Sequence, residues 1–329
     1  MEKLTRENCN IEVGFVFKSK NKEYELKGKI GDGAVGLVRK AIDKKTGKTV
    51  AVKFFAPDPK YIDIEAFEDV ARRFKREGIR GAKLEHENLV KIIAYEENEN
   101  GSCFSKGSVM NPFIIMEYVQ GKTLESLIKK PSRPDQPYLT QQNLLIAIEV
   151  TKAIKYLHDR KITHRDIKPA NVFLSSNQLG IIPNIVKLGD FGVTKWGDFI
   201  TTLTSGTLTA LNQQGLGTLK YMSPEQAVKP KEVTVRSDMF SLGITLYELF
   251  TGKVLPSAHH VFEIMNARMS RDAISGKLYS LGIKCTPTEE DLFSIILDMF
   301  MRGATGRPTS SKFLGNMEFY YEKLFEEPE

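Results

Sequence analysis

The sequence predicts an α+β fold in two lobes, a small antiparallel sheet with one helix followed by a larger, mostly helical lobe. Three observations carry this. Apolar and polar residues alternate across Tyr24–Gly31, Leu37–Asp43 and Thr49–Phe55, joined by a glycine-rich turn and by Lys44-Lys45-Thr46-Gly47, the pattern of an antiparallel meander. After Gly121 the apolar spacing becomes helical. Strands first and helices afterwards argue for segregated layers rather than alternating βαβ units.

Taken in order, residues 1–23 show weak periodicity and are read as an extension able to add a strand. Residues 24–118 form the small lobe. After its three-stranded meander, residues 64–84 carry Phe67, Val70, Ala71, Phe74 and Ile79 on one stripe and read as a helix, followed by strands at Val90–Tyr95 and Phe113–Val119. The polar segment Glu96–Pro112 between these strands reads as a loop. Residues 119–329 form the larger lobe, with helices expected at Leu124–Lys130, Gln141–Asp159, Val235–Phe250 and Glu289–Met301. Val172–Leu174 and Val186–Leu188 read as a short strand pair, and three prolines within Pro131–Pro137 make that run a linker.

Hydrophobic residues make up 41% of the 329 and charged residues 27%, which excludes global disorder and fibrous classes. The net charge of +6 suits an anionic ligand but lacks the continuous basic face with stacking aromatics that a nucleic-acid module requires. Cys9, Cys103 and Cys285 are odd in number and widely spaced, which argues against a disulfide framework or a zinc site and for a reducing cytoplasm. The first ten residues lack the apolar core of a signal peptide, and the longest apolar stretches are too short to span a bilayer.

Chemistry concentrates in four places. Ile30-Gly31-Asp32-Gly33-Ala34-Val35-Gly36-Leu37-Val38 contains G-x-G-x-x-G, weak alone, but here it leads into another strand rather than a helix. Glycines at the top of a hairpin let backbone amides approach phosphate oxygens. Lys53, in Val50-Ala51-Val52-Lys53, places an ammonium on the strand that follows; Glu77 is its candidate acidic partner, with Glu65, Glu68 and Asp69 as alternatives. The run His164-Arg165-Asp166-Ile167-Lys168-Pro169-Ala170-Asn171 gathers a base, cations and an amide: Asp166 to accept a hydroxyl proton, Lys168 to neutralise a moving phosphoryl group, Asn171 to ligate a metal. Nineteen residues on, Asp190-Phe191-Gly192 supplies a second metal ligand.

These motifs, in this order and spacing over about residues 24–314, resemble the protein kinase superfamily. The phrases His-Arg-Asp-Ile-Lys-Pro-Ala-Asn and Tyr-Met-Ser-Pro-Glu-Gln-Ala resemble its bacterial branch. The resemblance implies the two-lobed kinase fold and a serine/threonine protein kinase dependent on ATP and magnesium, with manganese as a substitute. It implies that Ile30, Gly31, Gly33, Gly36, Val38, Ala51, Lys53, Met116, Glu117, Val119 and Phe173 bind ATP, and that Glu77 secures Lys53. By the same likeness Asp166 is the catalytic base, Lys168 accompanies the γ-phosphate, and Asn171 and Asp190 hold the metal. Glu225 should pair with Arg307, and Asp238 should anchor the catalytic loop.

Lys168, together with Thr218, resembles serine/threonine rather than tyrosine kinases, so protein hydroxyls are the expected acceptors. A phosphate on Thr204, Thr207 or Thr209 is expected to dock on Arg165 and order the segment before Thr218. Ser223 stands where the family usually has alanine, and Phe240 where tryptophan is commoner. Gly78 and Gly81 each cost about 1 kcal/mol of helix propensity, so the helix bearing Glu77 is expected to swing and to be settled by a partner or a second copy in trans. The rival readings are a scaffold that lacks catalysis, although no catalytic residue is missing, and a kinase of small molecules. No nucleic-acid partner and no membrane span are expected.

Overall fold

The computed structural model describes residues 11, 13–58, 67–97, 112–128, 140–176, 183–190, 220–228, 232–252, 287–300 and 303–326. Residues 1–85 with 90–118 make one compact unit, and residues 86–89 with 119–329 make the other.

The first unit is a six-stranded antiparallel sheet with the order β1-β2-β3-β4-β6-β5, where β1 is Val16–Ser19, β2 Lys22–Asp32, β3 Gly36–Asp43, β4 Thr49–Phe55, β5 Ile92–Glu96 and β6 Phe113–Glu117. The alternation read from the sequence is the alternation of its faces. Phe17, Tyr24, Leu26, Val50, Val52, Phe54, Phe113 and Ile115 all point into one core. Phe17 stacks on Tyr24 at 5.5 Å and meets Phe113 edge-on at 5.2 Å, so a strand of the N-terminal extension is part of this core.

Helix α1, Phe67–Gly81, packs on β5. Its first turn is acidic and Arg80 lies in its last turn, both matched to the helix dipole. Phe74 seats between Phe55 and Tyr95. The two glycines of α1 are contact points: a Cβ on Gly78 would lie 2.5–2.8 Å from the Tyr95 side chain, and one on Gly81 would lie 2.3 Å from Ile92 Cδ1. The helix therefore gives up propensity to approach the sheet closely.

The second unit holds a three-stranded sheet β7-β8-β9 (Lys122–Thr123, Val172–Ser176, Pro183–Leu188) and the helices α2 Leu124–Ile128, α3 Gln141–Asp159, α4 Pro224–Val228, α5 Val235–Thr251, α6 Pro287–Asp298 and α7 Ser310–Phe325. Helix α3 begins where Thr140 accepts a hydrogen bond from the Asn143 amide. Helix α5 begins with a capping box between Thr234 and Ser237, and from Ser237 to Thr251 every residue is buried, so it forms the axis of the unit. Helix α7, not expected from the sequence, packs on α3 through a face carrying Phe313, Met317 and Tyr320.

Among the described residues, no helix is long and apolar enough to cross a membrane.

Candidate active site

In the first unit, strand register places the candidate nucleotide residues on one face. Val38 pairs with Lys53 and Ala51 pairs with Met116; cross-strand partners share a face, as do Ala51 and Lys53 two residues apart. Lys53 Nζ donates to Glu77 Oε1 at 2.8 Å, and both side chains are buried. Glu68 and Asp69 lie in the first turn of α1, two turns away, and Glu65 lies outside the described residues.

The glycine hairpin closes with the Gly33 amide donating to the Gly36 carbonyl at 2.9 Å. Gly36 is required by packing, because a Cβ there would lie 2.2 Å from the Phe54 carbonyl oxygen. At Gly31 an added Cβ would meet no protein atom within 4 Å, so packing does not demand its bareness. Ile30 is exposed beside it. The Glu117 amide donates to the Lys91 carbonyl at 2.9 Å. Val119 and Phe173 belong to the second unit and are half-buried.

In the second unit the loop from His164 to Asn171 is held from beneath by α5. Asp238, wholly buried in the first turn of that helix, accepts the His164 amide at 2.7 Å on Oδ2 and the Arg165 amide at 2.8 Å on Oδ1. His158 Nε2 meets Asp238 Oδ2 at 3.0 Å, while its Nδ1 meets Ser310 Oγ at 3.1 Å. Arg165 and Asp190 adopt left-handed backbone conformations, with φ of 68° and 56°, which a side chain tolerates only where surrounding bonds enforce it.

His164 links these two residues. Burial pushes its pKa below the ordinary histidine value, against the opposing pull of Asp238, Asp166 and Asp190. The neutral ring then uses both nitrogens, with Nε2–H donating to the Gly189 carbonyl at 3.2 Å and Nδ1 accepting the Asp166 amide at 3.3 Å.

Asn171 Nδ2 donates to the Asp166 carbonyl at 2.7 Å and to Asp166 Oδ2 at 2.8 Å; Lys168 Nζ lies 3.2 Å from the same oxygen. With the amide nitrogen so occupied, Asn171 Oδ1 is the atom left for a metal. The Gly189 amide donates to the Asn171 carbonyl at 2.9 Å, tying the residue before Asp190 to this loop.

A third arrangement closes the end of the motif that contains Glu225. Arg307 grips Glu225 with Nη1–Oε1 at 2.6 Å and Nη2–Oε2 at 2.9 Å, and Ser237 Oγ donates to the same carboxylate at 2.7 Å. Burial raises the Glu225 pKa, but the Arg307 and Ser237 hydrogen bonds outweigh it and hold it below the usual carboxylate range. The Arg307 guanidinium also lies 5.0 Å from the Phe240 ring centroid, a cation–π contact that the phenylalanine preserves.

The sequence from residue 24 to 317 matches the protein kinase domain family. The chain belongs to that family. Among curated relatives, a probable serine/threonine-protein kinase PknB of Bifidobacterium longum is 35% identical over 70% of this chain and 30% of its own length. Serine/threonine-protein kinase PknB of Mycobacterium leprae is 36% identical over 70% of this chain and 32% of its own. The chain thus spans about a third of the length of the curated relatives it matches. The solved PknI kinase domain of Mycobacterium tuberculosis superposes on 95% of this chain and all of its own with a TM-score of 0.61 at 20% identity, which shows the protein kinase fold.

Set against the kinase motifs, several contributors escaped the sequence reading. Asn88 donates through Nδ2 to the Val186 carbonyl at 2.9 Å and to Glu149 Oε2 at 2.7 Å, fixing β9 ahead of Asp190. Glu248, buried on α5, accepts from Lys220 Nζ at 2.9 Å and from the Tyr221 hydroxyl at 2.7 Å; burial of Tyr221, and then the Glu248 charge, push the Tyr221 pKa up. Gln226 reaches the catalytic loop. Asn88 had no motif to single it out, and Gln226 stood in the phrase Tyr-Met-Ser-Pro-Glu-Gln-Ala with no role assigned to it; Glu248 was visible only as the one charge interrupting the apolar stretch Met239–Phe250. Phe191, Gly192, Thr204, Thr207, Thr209 and Thr218 lie outside the described residues.

Proposed function

We propose that this kinase domain transfers the γ-phosphoryl group of ATP to serine and threonine hydroxyls of proteins, with Asp166 as the base. The supporting observation is the Asp166 carboxylate, oriented by Asn171 and Lys168 on a buried loop that Asp238 holds in place. The acceptor oxygen attacks the γ-phosphorus, the bond to the β–γ bridging oxygen breaks, ADP leaves, and the hydroxyl proton passes to Asp166. Lys168 offers positive charge beside that carboxylate, matched to the charge on the transferring group. Lys53, aimed by Glu77, binds the α- and β-phosphates, and the hairpin amides near Gly31 and Gly33 cover the phosphate chain. Val38, Ala51, Met116 and Glu117 of the first unit receive the adenine.

Protein kinases use ATP with a divalent metal. Asn171 Oδ1 and the Asp190 carboxylate are hard oxygen donors suited to magnesium, with manganese as a substitute. Among the described residues no three His, Cys, Asp or Glu side chains cluster, which fits an ion completed by phosphate oxygens and water rather than by a protein cage. When bound, the ion neutralises phosphate charge.

Lys168, two residues after Asp166, and the names of the relatives both support serine and threonine acceptors. We also place regulation in the threonines Thr204, Thr207 and Thr209, with Arg165 receiving the phosphate, and make a second copy of the chain a substrate in trans. The test is transfer from labelled ATP with magnesium to a generic protein and, separately, to small hydroxyl compounds. Label in phosphoserine and phosphothreonine of the protein supports the reading; label only in small molecules, or none with ATP bound, overturns it.

A further inference from the structure

Arg165 presents a problem that Asp238 solves only in part. Its left-handed φ of 68° orients the peptide plane joining it to Asp166, and that plane carries the Arg165 carbonyl on one edge and the Asp166 amide on the other. Asp238 Oδ1 holds the Arg165 amide, which belongs to the preceding plane. On the Asp166 side, the amide contact to His164 Nδ1 is long at 3.3 Å. The opposite edge is held by Gln226, whose Nε2 donates to the Arg165 carbonyl at 3.1 Å.

Gln226, 4% exposed, lies in α4 just after Glu225. Its Oε1 accepts from the Ser223 amide at 3.1 Å and from Ser223 Oγ at 3.0 Å. An amide side chain can be flipped, and the Ser223 N–H and the Arg165 carbonyl decide the matter. Reversed, Nε2 would face the Ser223 N–H and Oε1 would face the Arg165 carbonyl, two repulsive contacts. With an alanine at 223 the backbone amide and the Arg165 carbonyl would still orient Gln226; the hydroxyl adds a second donor to Oε1 and itself accepts the Gln226 backbone amide at 3.4 Å. The serine at 223 and the glutamine at 226 thus work as one device.

We propose that Gln226 is a positioning residue that sets the peptide plane carrying Asp166, with Ser223 as the clamp that orients its amide. This rests on the reading of Asp166 as the base. It couples the backbone at the end of the segment before Glu225 to the catalytic loop through side chains alone.

The test uses the full chain in four forms, wild type, Ser223→Ala, Gln226→Leu and the double variant, with kcat, KM for ATP, melting temperature and hydrogen exchange at residues 164–171. Loss of one hydrogen bond of this kind predicts kcat about tenfold lower for Gln226→Leu and about threefold lower for Ser223→Ala, with KM unchanged. The double variant should be no slower than Gln226→Leu, because the clamp has nothing left to orient. Exchange at the catalytic loop should quicken in step with kcat.

Gln226→Glu keeps the acceptor for Ser223 and removes the donor, so it isolates the contact if Gln226→Leu melts early. A wild-type kcat in Gln226→Glu overturns the proposal, as does a full additional effect of Ser223→Ala in the Gln226→Leu background. Asp166→Asn in the same assay separates the two layers. If it transfers at the wild-type rate, the base assignment fails and the positioning role falls with it; if it is inactive while the Gln226 variants are normal, only the positioning role fails.

Discussion

In the first unit Lys53 is aimed by the Glu77 carboxylate, on a helix that meets its sheet at Gly78 and Gly81; in the second, the backbone around Asp166 is fixed by Asp238, His164, Asn171 and Gln226 at once. One arrangement joins a side chain of the sheet to a side chain of its helix; the other is a set of hydrogen bonds to the backbone of one loop. The difference teaches where each kind of change should act. Substitutions around Asp166 should damage the protein whatever ligand is present, whereas those around Lys53 should be felt chiefly through the nucleotide.

The largest effect is expected from Asp238→Ala, which leaves the buried amide of His164 and the half-buried amide of Arg165 without that acceptor. A loss of about 4 kcal/mol in unfolding free energy, read by denaturant titration, follows from about 1–3 kcal/mol per stranded buried group. Glu77→Gln should be milder for the fold, about 1–2 kcal/mol, since the amide oxygen can still accept from Lys53. In steady-state kinetics it should raise KM for ATP and lower kcat by about tenfold to a hundredfold through misplaced phosphates. If instead it destabilised the protein as much as Asp238→Ala, the contrast between the units would break.

The two glycines sharpen the comparison. An alanine at Gly78 meets the aromatic ring of Tyr95, which has little room to yield, so overpacking of about 1–3 kcal/mol should outweigh the gain of about 1 kcal/mol in helix propensity. An alanine at Gly81 meets only the terminal methyl of Ile92, which can rotate away, so thermal denaturation should find it near neutral.

The smallest effect is on pH dependence. Burial holds His164, and likewise His86, below the ordinary value of 6.5. Below about pH 6.5 the unfolded chain therefore takes up protons that the native rings refuse, and stability falls. Glu225 adds a second loss at lower pH, as acid drops through its depressed native pKa and neutralises the partner of Arg307. Melting temperatures from pH 7.5 to 4 should decline in that order, and the first decline should shrink in His164→Gln.

Much of this was legible beforehand. The meander of β2, β3 and β4 was legible from apolar–polar alternation, β5 and β6 from short apolar runs, and the ends of α3 from its apolar run. The kinase motifs pointed to Lys53, Asp166, Lys168, Asn171 and Asp190, and to their roles only by resemblance; Asn88, Glu248 and Gln226 took the structure to find. Glu77 could not be told from Glu65, Glu68 or Asp69 by spacing, because several acids share one helix and only packing shows which is buried beside Lys53. Gly78 and Gly81 read as weakness because propensity knows nothing of Tyr95 or Ile92. Strand β7, two residues long, exists only through its pairing with β8. Helix α7 carried a signal that went unread, the Thr309 cap followed by Phe313, Met317 and Tyr320.

The most direct test of the division between the units is Asp166→Asn, with ATP affinity and single-turnover transfer measured side by side. The account predicts affinity within about twofold of wild type, because Asp166 serves the chemical step rather than nucleotide binding, and transfer reduced by about 10²–10⁴-fold. Transfer near the wild-type rate would contradict it.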